Sequence, residues 1–230
     1  MPVESPVFKK KRAGKIITLL RKHYPEARCA LNFTNPLELL VATQLSAQCT
    51  DKRVNLVTKK LFHTCKTAED YARIPLQKLE TLIQSTGFFR NKARNIQKAC
   101  QTLAECHRGQ VPEDFDQLVN LAGVGRKTAH VVMGNAFNQP SGLVVDTHVR
   151  RLSNRMGLVK TPNVYQIERE LEKLVPKKQW IIFSHWMIEH GRGICSARRP
   201  LCSSCFLSEL CPRQGITPTK QKNNPSKKRK

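Results

Sequence analysis

The residue types with the clearest chemical potential are four cysteines close together in the 230-residue chain. Cys195, Cys202, Cys205 and Cys211 follow the spacing C-x6-C-x2-C-x5-C within 17 residues. Four thiolates that close in sequence can enclose one metal centre and fold the intervening loop around it. The C-x2-C pair suits tetrahedral zinc and the full set suits an iron–sulfur cluster, so the spacing alone leaves both open.

A lysine at the start of a helical pattern is the second candidate for chemistry. The stretch 121–129 reads L-A-G-V-G-R-K-T-A, with two glycines between an apolar helix end and a new helix. The glycines allow a tight turn with positive φ and leave the first amides of the next helix open to a phosphate. Lys127 lies in the first turn of that helix, where its amine is a candidate nucleophile that can form a Schiff base. The alternative is a basic helix start that only contacts phosphate.

A carboxylate follows the short apolar run L-V-V at 143–145. Asp146 is the second residue of the segment V-D-T-H at 145–148, and this segment predicts that Asp146 is the N-cap of a helix over 147–156. From the residues alone, the cap is the favoured interpretation.

The charge of the chain points to a polyanionic partner. Lys and Arg number 40 against 17 Asp and Glu, which gives a formal net charge of +23. This excess favours DNA or RNA over a membrane, because no run of 18 apolar residues is present. No apolar secretory segment is recognisable at the N-terminus, so the nine cysteines are expected to be metal ligands or buried thiols rather than disulfides.

Helical periodicity dominates the chain and must position these candidates. The run at 143–145 is too short to build a sheet, so we expect an all-α fold. Residues 214–230 lack periodicity and predict a basic disordered tail that adds non-specific DNA affinity. Helices are predicted over 67–72, 91–107, 113–120, 147–156, 163–174 and 178–190, with others opened by Pro36, Asp51 and Pro75.

Four motifs follow one another along the chain. They are L-S-A-Q-C-T-D at 45–51, the stretch at 121–129, V-D-T-H-V-R-R at 145–151 and the four-cysteine loop. Together, over about residues 13–213, they resemble endonuclease III, the helix-hairpin-helix DNA glycosylase and abasic-site lyase family. The resemblance implies a six-helix barrel with the hairpin over 29–139 and an iron–sulfur cluster lobe built from 1–28 and 140–213. The active site is then expected in the cleft between the two helical lobes.

The resemblance also implies roles for single residues. Lys127 is similar to the family's nucleophilic lysine, and Asp146 to its catalytic aspartate. Gln48 matches the glutamine that fills the gap left by a flipped nucleotide, and Phe88 occupies the position where an aliphatic wedge is usual. The cysteine spacing is the one that the family uses for a [4Fe–4S] cluster. The hairpin residues expected to contact DNA are Gly123, Val124, Gly125 and Arg126.

The implied function is a bifunctional DNA glycosylase and abasic-site lyase of base excision repair. It would remove oxidised pyrimidines and cleave the strand 3′ to the abasic site by β-elimination. The expected partner is double-stranded DNA with a damaged base or abasic site, and the expected state is a cytoplasmic, nucleoid-associated monomer. The alternatives are a monofunctional relative such as an adenine glycosylase, against which Lys127 argues, and a non-catalytic DNA-binding module. Lys127 and Asp146 together argue against the second alternative.

Overall fold

The computed structural model describes residues 4–216, so most of the predicted basic tail lies outside the described residues. Within that range the chain forms eleven α-helices and no β-strand, which confirms the all-α prediction. In the same range no helix is both long enough and apolar enough to cross a bilayer. The helices are α1 Pro6–His23, α2 Pro36–Leu45, α3 Asp51–Thr64, α4 Ala68–Arg73, α5 Leu76–Ile83, α6 Phe89–Cys106, α7 Phe115–Asn120, α8 Arg126–Phe137, α9 Thr147–Arg155, α10 Val164–Leu174 and α11 Trp180–Gly193.

Side-chain caps decide where several helices begin, and they correct the predicted starts of α3 and α7. Other predicted starts also shift by one or two residues, such as α6, which begins at Phe89 rather than at residue 91. Thr50 Oγ1 accepts the Arg53 N–H at 3.3 Å, so Thr50 caps α3 and Asp51 is its first residue rather than its cap. The helix predicted from residue 113 begins at Phe115, because the Asp114 carboxylate caps it. In both cases a short polar side chain on extended backbone accepts a hydrogen bond from a backbone amide that would otherwise have no partner.

Two separate hydrophobic cores divide the described helices into two lobes. α2–α8 enclose the first core, in which Leu39, Leu45 and Ile96 are fully buried. α1 and α9–α11 enclose the second core, which contains Ile16 and Phe183. Seven of the described helices belong to the first lobe, for which the resemblance implied six. Two of the seven, α4 and α7, have only six residues each. The domain limits 29–139 and 140–213 stay a prediction.

The two lobes meet where α8 packs against α11. Gly134 on α8 lies so close to α11 that a Cβ atom there would approach Ile181 Cγ1 to 3.0 Å. At the next residue, Asn135 Oδ1 and His185 Nε2 lie 2.9 Å apart. Glycine therefore permits the close approach that brings α8, with Lys127 in its first turn, against the second lobe.

Candidate active site

A cleft of about 370 Å³ lies between the two lobes. Its walls come from the segment 28–31, the α2–α3 loop, one face of α8, the first turn of α9 and one face of α11. Lys127, Asp146 and Gln48 all line this cleft, although they belong to three different segments of the chain. Phe88 and the hairpin residues 123–126 lie outside its lining. Folding thus brings three of the candidate residues to one concave surface.

The hairpin between α7 and α8 leaves the first amides of α8 open. Gly123 has a φ of 72°, and a Cβ atom there would lie 2.8 Å from Asn95 Cβ, so this position requires glycine. Of the two glycines that allow a positive φ here, only Gly123 adopts one, since the φ of Gly125 is −92°. Gly125 precedes α8 without a side-chain cap, while Val124 is buried in the first core. Uncapped amides at a helix start are suited to bind an anion.

Lys127 and Asp146 each belong to the start of a helix at the cleft. Lys127 is exposed in the first turn of α8. Asp146 is the N-cap of α9, as predicted, because its Oδ1 accepts the Val149 N–H at 2.8 Å. The carboxylate therefore has a structural partner and still lines the cleft. Both helices direct the positive end of their dipole to the same region, which favours an anionic ligand.

Gln48 and Phe88 share an uncommon backbone conformation. Their φ angles are 54° and 48°, in the left-handed region that side chains rarely adopt. Such a conformation costs on the order of 1–3 kcal/mol and is concentrated at functional sites. Gln48 is exposed in the α2–α3 loop, and Phe88 is 66% exposed directly before α6. Both turns thus hold an exposed side chain in a strained, defined position.

Arg126 is held by side chains of both lobes. Its guanidinium carbon lies 5.0 Å from the ring centre of Phe115 and 5.9 Å from that of Tyr165. Its Nη2 lies 3.1 Å from Oε1 of Glu168, and the same oxygen lies 3.1 Å from His130 Nε2. Burial raises the pKa of Glu168, but His130 and Arg126 outweigh it, so that the pKa is below its ordinary value. The Arg126 side chain is still 48% exposed and can meet a phosphate.

Several residues of the cleft were not among the predicted site residues. Arg192 Nη2 on α11 lies 2.5 Å from Asp51 Oδ2 on α3, and both line the cleft, so this ion pair joins the lobes across it. No sequence signal could pair two residues that lie 141 positions apart. His148 and His185 also line the cleft, and burial lowers the pKa of both against the opposing charge of Asp146. Their neutral forms are therefore favoured at neutral pH.

The four cysteines of the predicted metal loop line one small pocket beside the second core. Arg155 Nη1 donates to Cys195 Sγ at 3.3 Å, and the Leu207 N–H donates to Cys205 Sγ at 3.4 Å. Burial raises the pKa of the Cys205 and Cys211 thiols, so metal binding is needed to hold them as thiolates. In the described part of the chain, no three His, Cys, Asp or Glu side chains converge as ligands of one ion. Four soft thiolate donors are a ligand set that iron–sulfur clusters use.

Comparison with known proteins identifies the family. The model of the HhH-GPD superfamily of base excision DNA repair proteins matches residues 41–177, and the model of the iron–sulfur binding domain of endonuclease III matches residues 195–211. Endonuclease III of Synechocystis sp. is 52% identical over 204 residues, which cover 89% of this chain and 93% of that protein. The chain belongs to the endonuclease III family.

Further relatives of the endonuclease III family agree with this assignment. Endonuclease III of Escherichia coli (strain K12) is 44% identical over 197 residues, which cover 86% of this chain and 93% of that protein. A solved structure of a trapped endonuclease III–DNA covalent intermediate matches with a TM-score of 0.85 at 47% identity, covering 89% of this chain and 96% of that one. The protein is thus a DNA-binding glycosylase and abasic-site lyase of base excision repair. Its cysteine loop binds a [4Fe–4S] cluster, which decides between the two metals that the spacing left open.

Proposed function

We propose that this enzyme removes oxidised pyrimidines from double-stranded DNA and cleaves the abasic strand through a Schiff base at Lys127. The observation that carries the proposal is the shared cleft, which Lys127 lines from the first lobe and Asp146 from the second. A similar solved structure is of endonuclease III trapped covalently with DNA, and a covalent intermediate needs a nucleophile. Lys127 is an exposed amine in that cleft.

DNA binds to the hairpin between α7 and α8 before the chemical steps begin. The uncapped amides at the start of α8 donate hydrogen bonds to a backbone phosphate of the DNA. The glycines at 123 and 125 have no side chains that could block the approach of this phosphate. The exposed part of the Arg126 guanidinium adds positive charge beside them. These contacts carry no sequence information, which suits an enzyme that must search a whole genome.

The target nucleotide then leaves the stack. Flipping costs a few kcal/mol, and less for a damaged base that pairs poorly. Gln48 and Phe88, each exposed on a left-handed turn, enter the vacated space and offset part of that cost. The flipped nucleotide occupies the cleft, where its sugar faces Lys127.

The Lys127 amine attacks C1′ of the sugar. The new N–C1′ bond replaces the glycosidic bond, the base leaves with a proton, and opening of the sugar ring gives a protonated Schiff base. The positive nitrogen acidifies the C2′ protons. Loss of one of them breaks the C3′–O bond, which cleaves the strand on the 3′ side of the site.

Asp146 has two tasks in this reaction. Its negative charge stabilises the positive charge that develops on the sugar. It also accepts and returns protons as the amine is consumed and released. The hydrogen bond from the Val149 N–H fixes the carboxylate for both tasks.

Cys195, Cys202, Cys205 and Cys211 would hold the [4Fe–4S] cluster, which would crosslink their loop when bound. Arg155 on α9 supports that loop directly, because its guanidinium donates to Ser196 O and Ala197 O at 2.7 Å. We expect the enzyme to act as a monomer in the cytoplasm, at the nucleoid.

Borohydride trapping on abasic DNA tests the role of Lys127. Borohydride reduces a Schiff base to a stable amine, so the wild-type enzyme should give a covalent adduct and Lys127→Ala should give none. Lys60→Ala, which removes the same charge from an exposed position on α3, is the matched control and should trap as wild type does. An undiminished adduct in Lys127→Ala would assign the nucleophile to another residue.

Base release from a duplex with a damaged base, measured beside the trapping on abasic DNA, separates the alternative functions. Base release by the wild-type enzyme without any trapped adduct would identify a monofunctional glycosylase. Neither base release nor an adduct would identify a DNA-binding module. A panel of duplexes, each with one damaged base, tests the preference for oxidised pyrimidines, which should be released faster than oxidised or alkylated purines.

A further inference from the structure

A buried lysine outside the catalytic cleft has no role in the reaction described above. Lys92 lies in the first turn of α6 and is only 7% exposed. Its Nζ donates to the backbone oxygens of Leu45 and Thr86, each at 2.8 Å. Burial of its ammonium lowers the pKa of Lys92, against an opposing effect of the nearby Cys49. A group that is costly to bury is thus satisfied by two carbonyl oxygens.

The two carbonyl groups belong to the segments that present Gln48 and Phe88. Leu45 is the last residue of α2, just before the loop that contains Gln48. Thr86 ends the short 3-10 turn that leads through Gly87 into Phe88. Carbonyls at the end of a helix are left without intrahelical partners and carry partial negative charge, so they are suited to bind an ammonium.

The end of α2 is also joined to the hairpin. Gln44, next to Leu45, is 6% exposed, and its Nε2 donates to Ala122 O at 2.7 Å. Ala122 directly precedes Gly123 in the hairpin. Hydrogen bonds therefore connect the end of α2 with the Phe88 turn on one side and with the phosphate-binding turn on the other.

We propose that Lys92 is a positioning residue that holds the Gln48 loop and the Phe88 turn at one fixed separation, so that both side chains enter the DNA helix together. This inference rests on the proposed gap-filling role of Gln48 and Phe88. An apolar residue at position 92 could fill the same space, but it would leave the two carbonyls unbridged and the two turns free to shift. Displacement of a positioned group by about 1 Å can lower a rate by about 100-fold.

The test compares Lys92→Met and Lys92→Arg with the wild-type holoenzyme on a duplex that carries 2-aminopurine opposite a tetrahydrofuran abasic analogue. Entry of Gln48 and Phe88 changes the stacking of the 2-aminopurine and hence its fluorescence, without any bond cleavage. At saturating enzyme, both variants should lose most of that change. Excision of a damaged base from duplex DNA should fall at least about tenfold. Borohydride trapping on single-stranded abasic DNA, where no gap is filled, should stay at the wild-type level.

The controls separate positioning from general stability. Leu103→Ala, at the far end of the same helix, removes a fully buried side chain and should keep the fluorescence change despite a lower melting temperature. The side chain of Lys92→Arg keeps a buried cation, but it is longer and ends in a planar guanidinium, so it cannot hold the two carbonyls at the same separation and carries the test if Lys92→Met does not fold. A full fluorescence change in a folded Lys92 variant, or an equal loss in Leu103→Ala, would overturn the inference. If Phe88→Ala leaves the wild-type fluorescence change intact, the proposed gap filling fails instead.

Discussion

The Asp146 carboxylate combines a structural and a proposed chemical task in one residue. Its Oδ1 accepts the Val149 N–H and begins α9, while the residue lines the cleft together with Lys127. An N-cap and a catalytic carboxylate both need a side chain fixed against the backbone. Amide and carboxylate caps have nearly equal strength, so the two tasks can be separated by substitution.

Substitution of Asp146 should therefore uncouple stability from activity. Asp146→Asn keeps the cap and should retain the stability of the wild type, whereas Asp146→Ala should lose about 1 kcal/mol. Both should lower the rate of base release by about 100-fold or more, because neither has a carboxylate. Denaturation and single-turnover kinetics measure the two effects. Asn163→Ala, which removes the cap of α10, is the control and should lose stability with full activity.

At the scale of elements, the starts of two helices define the reaction site. α8 begins after the hairpin without a side-chain cap, and α9 begins at Asp146. The two glycines of the hairpin contribute differently to this arrangement. Gly123 is required by its positive φ and by its closeness to Asn95, whereas Gly125 has an ordinary φ and open space around it.

Alanine at the two hairpin glycines should consequently have unequal effects. Gly123→Ala should lose about 1–3 kcal/mol, because the left-handed backbone is strained with a Cβ atom and Asn95 must move. It should also weaken the binding of duplex DNA, since the amides of α8 lose their orientation. Gly125→Ala should have a smaller effect on the melting temperature. Equal losses in both variants would contradict this account of the turn.

At the scale of the whole molecule, the cleft depends on polar contacts that join the lobes. Arg126 reaches Glu168, Arg192 reaches Asp51, and Asn135 contacts His185. Among these, Glu168 is 8% exposed and has a pKa below its ordinary value of 4.5, despite burial, because His130 and Arg126 are close. A carboxyl group with a lowered pKa in the folded state stabilises that state only while it is ionised.

Glu168→Gln should therefore destabilise the protein in a pH-dependent way. The stabilisation by Glu168 is complete above pH 4.5 and is lost as the pH falls through the lower pKa of the folded state. The difference in melting temperature between wild type and Glu168→Gln should be largest near neutral pH and should shrink in acid. The visible absorption of the cluster reports whether the holoenzyme persists at each pH. Glu170→Gln, on the same helix, should show a smaller difference in melting temperature at neutral pH.

Local sequence determined a large part of this protein. Helical periodicity predicted the all-α fold, and V-D-T-H predicted the cap at Asp146, because both depend on neighbours within a few turns of the chain. Four motifs in order indicated the endonuclease III family, and four closely spaced cysteines indicated a metal centre, because all four ligands lie in one loop. The errors at Asp51 and at residue 113 are local too, since a helix cap can move by one or two residues without changing the pattern.

Tertiary structure alone decided which distant residues meet. Lys92 is 47 residues from Leu45, and Arg192 is 141 residues from Asp51. No sequence motif predicts such pairs. A single lysine in a helix, for example, is normally a solvated surface residue. Their contacts depend on how helix faces pack around two cores, and that packing is set by many apolar side chains together rather than by any short stretch.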